Sequence, residues 1–409
     1  MSYIEKLLEG VEVEWKAVDD LFYVKNGYTP SKSNEENWND GSIPWFRMED
    51  IRTNGRILSD SIQHVSYKAV KGKLIPESSL SMSTTATIGE HALILAPYLT
   101  NQQMTNFSLK EAYCNLIDIK FLFYCFFDFG KWCRDNANRN GSLSIIGISK
   151  LKEYVFPIPP LEIQQKIVGI LDTFTELTAE LTAELTARIK QYSYYREDLY
   201  SFDNKNVNKK SLNEVGEFQR GKRFVKTDLI SEGVPTIHYG EMYTHYGTWA
   251  DKTKSFVSEE LVESKKLRIA QKGDVVIVAA GETIEDIGKG TAWLGDEEVV
   301  IHDACFSYRS SLNPKYVAYF TRTKQFHDQI KKHISSGKIS AINAKGLEKV
   351  IIPVPSIEEQ EHIVSILDKF DLLTTSITEG LPKEIELRKQ QYEYYRDMLL
   401  TFSKDEISA

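Results

Sequence analysis

The chain has 409 residues, of which 42% are hydrophobic and 11% aromatic, and its formal net charge is −8. A chain of that size and apolar content builds two or three packed cores, which excludes wholesale disorder. No apolar run reaches the roughly 20 residues of a membrane span, and the negative sum on its face argues against a nucleic-acid partner, although the distribution of charge matters more than its sum.

In chain order, the opening "MSYIEKLLEGVEVEW" is acidic and lacks the apolar centre of a signal peptide, so a cytoplasmic location is expected. From Met1 to about Val155, short β-like runs such as "SIPWF" and "ALILA" alternate with Gly, Pro, Asn and Ser. The run "LIDIKFLFYCFFDFGKWCRD" closes this region as a helix. A stiff "PIPP" follows. Then Ile163, Ile167, Ile170, Phe174, Leu177, Leu181, Leu185, Ile189 and Tyr192 advance by threes and fours, as one long amphipathic helix does. Inside it, "TELTAELTAELTARIKQY" repeats the unit TAEL. Steps of four act as stutters in a heptad seam, and such a helix is expected to serve as a measuring rod.

The region from about Asp203 to Val350 again mixes β-like runs, "GDVVIVAAG" and "EEVVIHDACFSYR", with a helical end, "PKYVAYFTRTKQFHDQIKKH". A second long helix follows "PVPS", with Ile363, Ile366, Phe370, Leu373, Ile377, Leu381 and Ile385 on its apolar stripe. Gly380 and Pro382 are expected to bend or restart it. Cys114, Cys125, Cys133 and Cys305 show no CxxC pair or zinc-ligand spacing and are expected to be reduced thiols.

The plan is stated twice. "FPIPPLEIQQKIVGILDTF" recurs as "IPVPSIEEQEHIVSILDKF" at an offset of 196, and "QYSYYREDLYSF" recurs as "QYEYYRDMLLTF" at an offset of 200. The second copy is thus longer by the size of one TAEL unit. Weaker parallels link "KNGYTPSK" to "QRGKRFVK", "SIPWFRMEDI" to "GVPTIHYGEM", and "ISKLKEYVFPIPP" to "AKGLEKVIIPVPS". The segments Leu161 to Phe202 and Ile357 to Phe402 hold 9 basic and 17 acidic residues and so carry the whole −8. The remainder is neutral. Conserved helices with divergent globules describe a fixed frame holding two readers. The expected fold is α+β: two similar domains separated by a pair of long, antiparallel coiled-coil helices, with internal pseudo-twofold repetition. The segments are 1–155 and 203–351 for the domains, and 156–202 and 352–409 for the helices.

No catalytic pattern is found. "DIGKGTAW" lacks the upstream glycine and the Ser/Thr of a phosphate loop, and no methyltransferase, GxSxG or HExxH motif occurs. The chain is expected to be non-catalytic, without a metal or a cofactor of its own.

The order variable region, helix, variable region, helix, together with "PIPPLEIQQKIVGILD" and "PVPSIEEQEHIVSILD", resembles the specificity subunit of type I restriction-modification enzymes. The TAEL units and the opening residues are similar to the type IC subgroup. The resemblance implies that each variable region is a target recognition domain reading one half of a bipartite, asymmetric site in double-stranded DNA. It implies helices that set the spacing and dock two modification (methyltransferase) subunits. Those subunits use S-adenosylmethionine, and restriction subunits join them for cleavage with ATP and magnesium. The alternative is a coiled-coil scaffold whose two globules bind proteins.

Phosphates are held by Lys, Arg and backbone donors, and base edges by amides, hydroxyls, Arg, His and acids. In the first domain Thr29, Ser31 and Lys32 lie on a Gly-Pro turn and Arg47 follows Trp45, itself expected in the core. Asn101, Gln102 and Gln103 form an amide cluster, and Asn138 and Arg139 follow. In the second domain Arg220, Lys222, Arg223 and Lys226 surround Gly221 in the strongest basic cluster. "IHYGEMYTHYG" supplies His238 and Tyr239, and Lys338 lies in a later loop.

Overall fold

The computed structural model describes residues 7–140, 143–202, 207–281, 283–335, 337 and 339–402. They form two compact units. One comprises residues 1–180 with 386–409, the other residues 181–385.

The first unit is built on a five-stranded sheet in the order Phe22–Asn26, Met104–Leu109, Ser79–Ser83, His91–Ile94, Ile57–Leu58; only the last pair is parallel. Period-two alternation divides its residues between two cores. Leu80, Met82, Leu93 and Phe107 face the helix Ile119–Asp135, whose Phe121, Phe126 and Phe129 complete an aromatic cluster. Ala92, Ile94 and Met104 face the other way, onto Phe46, Ile51 and Tyr98. A smaller sheet, His64–Val65, Ile43–Phe46, Leu99–Thr100, covers that second face.

The second unit repeats the plan. Its five-stranded sheet runs Gly216–Arg220, Cys305–Ser310, Val275–Val278, Gly290–Trp293, Trp249–Ala250, again with only the last pair parallel. Val275 and Ile277 face one core while Val276 and Val278 face the other. The small sheet gains a strand: Ser255–Val257, Val234–Ile237, Val299–Ile301, Ile269–Ala270. The region read from sequence as one helix is two, Pro314–Phe320 and Lys324–Ile330, separated by a turn that Thr323 caps.

Each domain is closed where its helix begins. Glu14–Ala17 pairs with Val155–Ile158, and Asn208–Ser211 with Ile351–Val354. Pro157 and Pro353 are tolerated because these are two-stranded edges. Gln164 is fully buried; it accepts from Asp118 N at 2.9 Å and donates to Pro159 O at 2.7 Å. Gln360 does the same with Asn313 N (2.9 Å) and Pro355 O (3.0 Å). Farther along, Asp172 takes Lys120 and Tyr124, each at 2.6 Å. Asp368 takes Lys315 at 2.8 Å and Tyr319 at 2.7 Å. The repeated helix segments thus carry the same polar fasteners.

The long helix spans Leu161–Asp198 without a break. Its counterpart is two helices, Ile357–Thr375 and Leu381–Leu400. Gly380 ends the gap, and a Cβ there would sit 2.4 Å from Leu372 O, so the restart expected at Gly380 and Pro382 is observed. In the first unit Phe174 stacks on Tyr395, with ring centres 5.3 Å apart. In the second, Phe370 stacks on Tyr195 at 5.5 Å and on Tyr192 at 6.0 Å. Early residues of the long helix meet late residues of the second helical region, and late residues meet early ones, as in an antiparallel pair.

The expected continuous seam is not buried throughout. Ile167, Leu171 and Tyr192 are in cores, but from Glu176 to Lys190 no residue is buried, and Leu177 and Ile189 are 40% and 46% exposed. Each step of four rotates the apolar position by about 40°, so consecutive TAEL leucines cannot all face one partner.

Candidate nucleic-acid interface

Both domains bring the same backbone pieces to one place. In the first, the chain leaves Phe22–Asn26 and lies across the end of the small sheet: Gly27 N donates to Met104 O and Tyr28 N to Thr100 O, both at 2.8 Å. In the second, Gly221 N donates to Cys305 O at 3.0 Å and Lys222 N to Ile301 O at 3.3 Å. Neither glycine is needed for its φ; both are needed for close approach. A Cβ on Gly27 would lie 2.2 Å from Asn101 O, and one on Gly221 would lie 2.2 Å from His302 O.

The neighbouring strand supplies the next side chain. Ile43–Phe46 runs parallel to Leu99–Thr100, with Phe46 opposite Thr100; Val234–Ile237 runs parallel to Val299–Ile301, with Ile237 opposite Ile301. Arg47 and His238 follow. The backbone N–H of each donates to the carboxylate three residues on, Asp50 at 2.7 Å and Glu241 at 3.3 Å. After the partner strands come the turns 101–103 and 302–304, and their last carbonyls accept from Thr84 N (2.9 Å) and Ala279 N (2.7 Å). Residues 27–29, 47 and 101–103 therefore correspond to 221–223, 238 and 302–304.

What fills this frame differs. In the first domain an open cavity of about 630 Å³ is lined by Thr29, Lys32, Trp38, Asn39, Arg47, Gln63, Asn101 and Gln102. Thr29 Oγ1 donates to Gln102 Oε1. Arg47 lies over the Trp45 ring, 5.6 Å from its centre, and pairs with Glu49 at 2.9 Å. Trp45 is core, as expected: it is buried, edge-on to Trp38, and its Nε1 donates to Tyr28 O at 3.1 Å. Asn101 and Gln103 bond each other, with Gln103 N donating to Asn101 Oδ1 at 3.1 Å. Ser31 acts on the loop itself, its carbonyl accepting from Trp38 Nε1 and its hydroxyl lying 2.9 Å from that of Ser33. Asn138 is exposed on the hairpin Asn138–Asn140/Leu143–Ile145, which Ile146 N ties to Thr84 O at 3.0 Å. Arg139 shares that strand.

In the second domain the same place is cationic and aromatic. Arg223 and Lys226 are exposed, and neither makes an ion pair among the described residues. Arg220 Nε donates to Asp303 O at 2.9 Å, and Lys222 Nζ to Lys265 O at 3.2 Å. The His238 ring lies 4.7 Å from both His302 and Tyr239. Burial pushes both imidazoles below their ordinary pKa; at His302 the Asp303 carboxylate opposes this, while His238 and Arg223 add to it. Lys338 lies outside the described residues.

Sequence reasoning missed His302 and Asp303 here, and Trp38 and Gln63 in the first domain. "EEVVIHDACFSYR" reads as one strand because apolar residues flank the polar triplet. In the structure it is two strands with a turn at 302–304. Setting it beside "LTNQQMTNFSL" would have exposed the turn.

A family model described as the type I restriction modification DNA specificity domain matches the chain twice, over residues 10–191 and 204–387. The chain belongs to that family. The specificity subunit of the Escherichia coli type I restriction enzyme EcoprrI is 39% identical over 393 residues, spanning 93% of this chain and 92% of that protein. The EcoR124I/EcoR124II specificity subunit, also from Escherichia coli, is 32% identical over 427 residues, spanning 99% and 98%. Among solved structures, a chain from a study of complex assembly and conformational transition of the type I R-M system aligns with a TM-score of 0.65 at 15% identity, covering 96% of this chain and 98% of that one. The S subunit from M. genitalium aligns with a TM-score of 0.51 at 17% identity, covering 99% and 100%. The protein is thus a DNA-recognition specificity subunit, a component that does no chemistry itself. No described helix of this specificity subunit is long and apolar enough to cross a membrane.

Proposed function

We propose that the two domains each read one half of a bipartite, asymmetric DNA site through the surfaces at 27–32, 47 and 101–103 and at 220–226, 238–239 and 302–304. The observation that carries this is one backbone frame presenting two unlike side-chain sets: amides, hydroxyls, one ammonium and one guanidinium in the first domain, four cations, two imidazoles and a carboxylate in the second. A shared frame positions the readers; unlike side chains give unlike half-sites. Asn138, Arg139 and Lys338 belong to the same proposed contact set. The long helix and its counterpart set the gap between half-sites and dock two modification subunits, which restriction subunits join. S-adenosylmethionine, ATP and magnesium then belong to those partners, and the assembly works in the cytoplasm. The alternative role as a protein-binding scaffold leaves the unpaired Arg223 and Lys226 without a use, whereas a phosphate backbone supplies one.

The test is methylome sequencing of a strain carrying this chain and its modification subunit, with the second domain's 221–226 segment replaced by Gly-Ser in a parallel strain. One half-site should become degenerate while the other persists. An unchanged motif would refute the reading.

A further inference from the structure

Asp303 and Gln102 occupy the same position in their frames, the middle of the three-residue turn after the small-sheet strand. Their chemistry is opposite. Gln102 Oε1 is occupied by the Thr29 hydroxyl, which leaves the amide N–H₂ as the outward group, a donor. Asp303 is a carboxylate and, when ionised, only accepts. Resting on the DNA-reading role proposed above, we propose that Asp303 determines specificity in the second domain. Its carboxylate accepts from the exocyclic amino group of a base in the major groove, cytosine N4 or adenine N6.

Three observations support this. First, Asp303 lies in the turn that faces Gly221, beside the basic segment 220–226: Arg220 Nε donates to its backbone carbonyl, and Gly221 N and Lys222 N bond to Cys305 O and Ile301 O on either side of it. An acid there is repelled by phosphates and by guanine O6, thymine O4 and purine N7, so it is favourable only opposite an amino donor. Second, its side chain is 37% exposed, which keeps it within reach of a ligand. Third, its hydrogen-bonding capacity is open. Among the described residues its one close charged partner is Nδ1 of His302, at 3.1 Å. That nitrogen already accepts from Ala304 N at 3.1 Å, and the ring's Nε2 lies 2.9 Å from Phe224 O, where its proton is donated. A neutral His302 has no proton left for Asp303. The main chain is pinned by Arg220 Nε on Asp303 O, so the carboxylate is held in place without being used.

The experiment selects duplexes from a pool randomised at both half-sites, using the full chain assembled with its modification subunit. Wild type, Asp303→Asn, Asp303→Ala, Gln102→Ala and Arg223→Ala are compared. At one position of the half-site read by the second domain, wild type should require cytosine or adenine, and the base found identifies the donor. Asp303→Asn, which keeps the shape, should lose that preference by about tenfold or more. The first half-site and the gap should not change. Gln102→Ala should relax the other half-site instead, and Arg223→Ala should weaken binding to all sequences and flatten its salt dependence by about one phosphate contact. If both Asp303 variants select the wild-type sequence, the assignment of Asp303 is wrong while the domain's reading stands. If Arg223→Ala also binds as wild type does, the surface itself is not the DNA interface.

Discussion

Gly221→Ala puts the proposed interface to a demanding test, because the glycine is there for space alone. Its added Cβ would lie 2.2 Å from His302 O, 2.5 Å from Ile301 O and 2.6 Å from His302 C, all backbone atoms. None is the far end of a flexible side chain, so the turn must lift by about 1 Å to restore ordinary contact. Lifting breaks or stretches Gly221 N to Cys305 O and Lys222 N to Ile301 O. At roughly 1 kcal/mol for each bond and more for any buried group left unpaired, the native turn is disfavoured by about 2–4 kcal/mol. Phe224, three residues on, is buried in the small-sheet core, so the cost falls on that packing as well as on the placement of Lys222, Arg223 and Lys226. The assay is fluorescence anisotropy of the assembled complex on duplexes with either half-site scrambled. Gly221→Ala should lower affinity tenfold or more on duplexes whose second-domain half-site is intact, and should leave the first half-site's contribution unchanged. Gly169→Ala is the control: nothing lies within 4 Å of its added Cβ, and in mid-helix it should be neutral or stabilising by up to about 1 kcal/mol. Wild-type affinity for Gly221→Ala at both half-sites would refute the reasoning.

Deleting one TAEL unit, Thr182 to Leu185, removes no buried residue. It should leave the melting temperature nearly unchanged while shortening the helix by about 6 Å. The methylated motif should then keep both half-sites and lose one or two base pairs of gap, as methylome sequencing would show. Asp172→Ala and Asp368→Ala each strand a lysine and a tyrosine hydroxyl. Each should cost about 1–3 kcal/mol in urea unfolding, at the low end because both carboxylates are partly exposed. His91 is buried with Gly89 O at 3.2 Å from Nδ1 and Phe123 O at 3.1 Å from Nε2, and burial lowers its pKa to about 3. Its contribution to stability is therefore complete above pH 6.5. As pH falls toward 3 it is lost by up to about 1.4 kcal/mol per unit, because only the unfolded chain takes up the proton. Unfolding midpoints across that range, compared with His91→Gln, would show a shallower slope in the variant.

The duplication, the long helices and the break at Gly380 were all legible in the sequence, because a helix advertises itself through local periodicity. Gly27 and Gly221 could be paired from "KNGY" and "QRGK", since a glycine between polar residues marks the same need for space twice. The sequence did not show that from Glu176 to Lys190 the seam is at most half-buried, at Thr178, Leu181, Leu185 and Arg188; exposure depends on what lies opposite, and four-residue steps hide that drift. Nor did it show that residues 302–304 form a turn facing Gly221. That turn joins consecutive strands, but Gly221 lies more than 80 residues earlier in the chain, and Gly221, His238 and Asp303 meet only when the small sheet and the large one pack together. Local pattern decided which segments are helix or strand. Only tertiary packing decided which polar side chains stand together, because hydrogen bonds between distant backbone segments leave no period in the sequence to read.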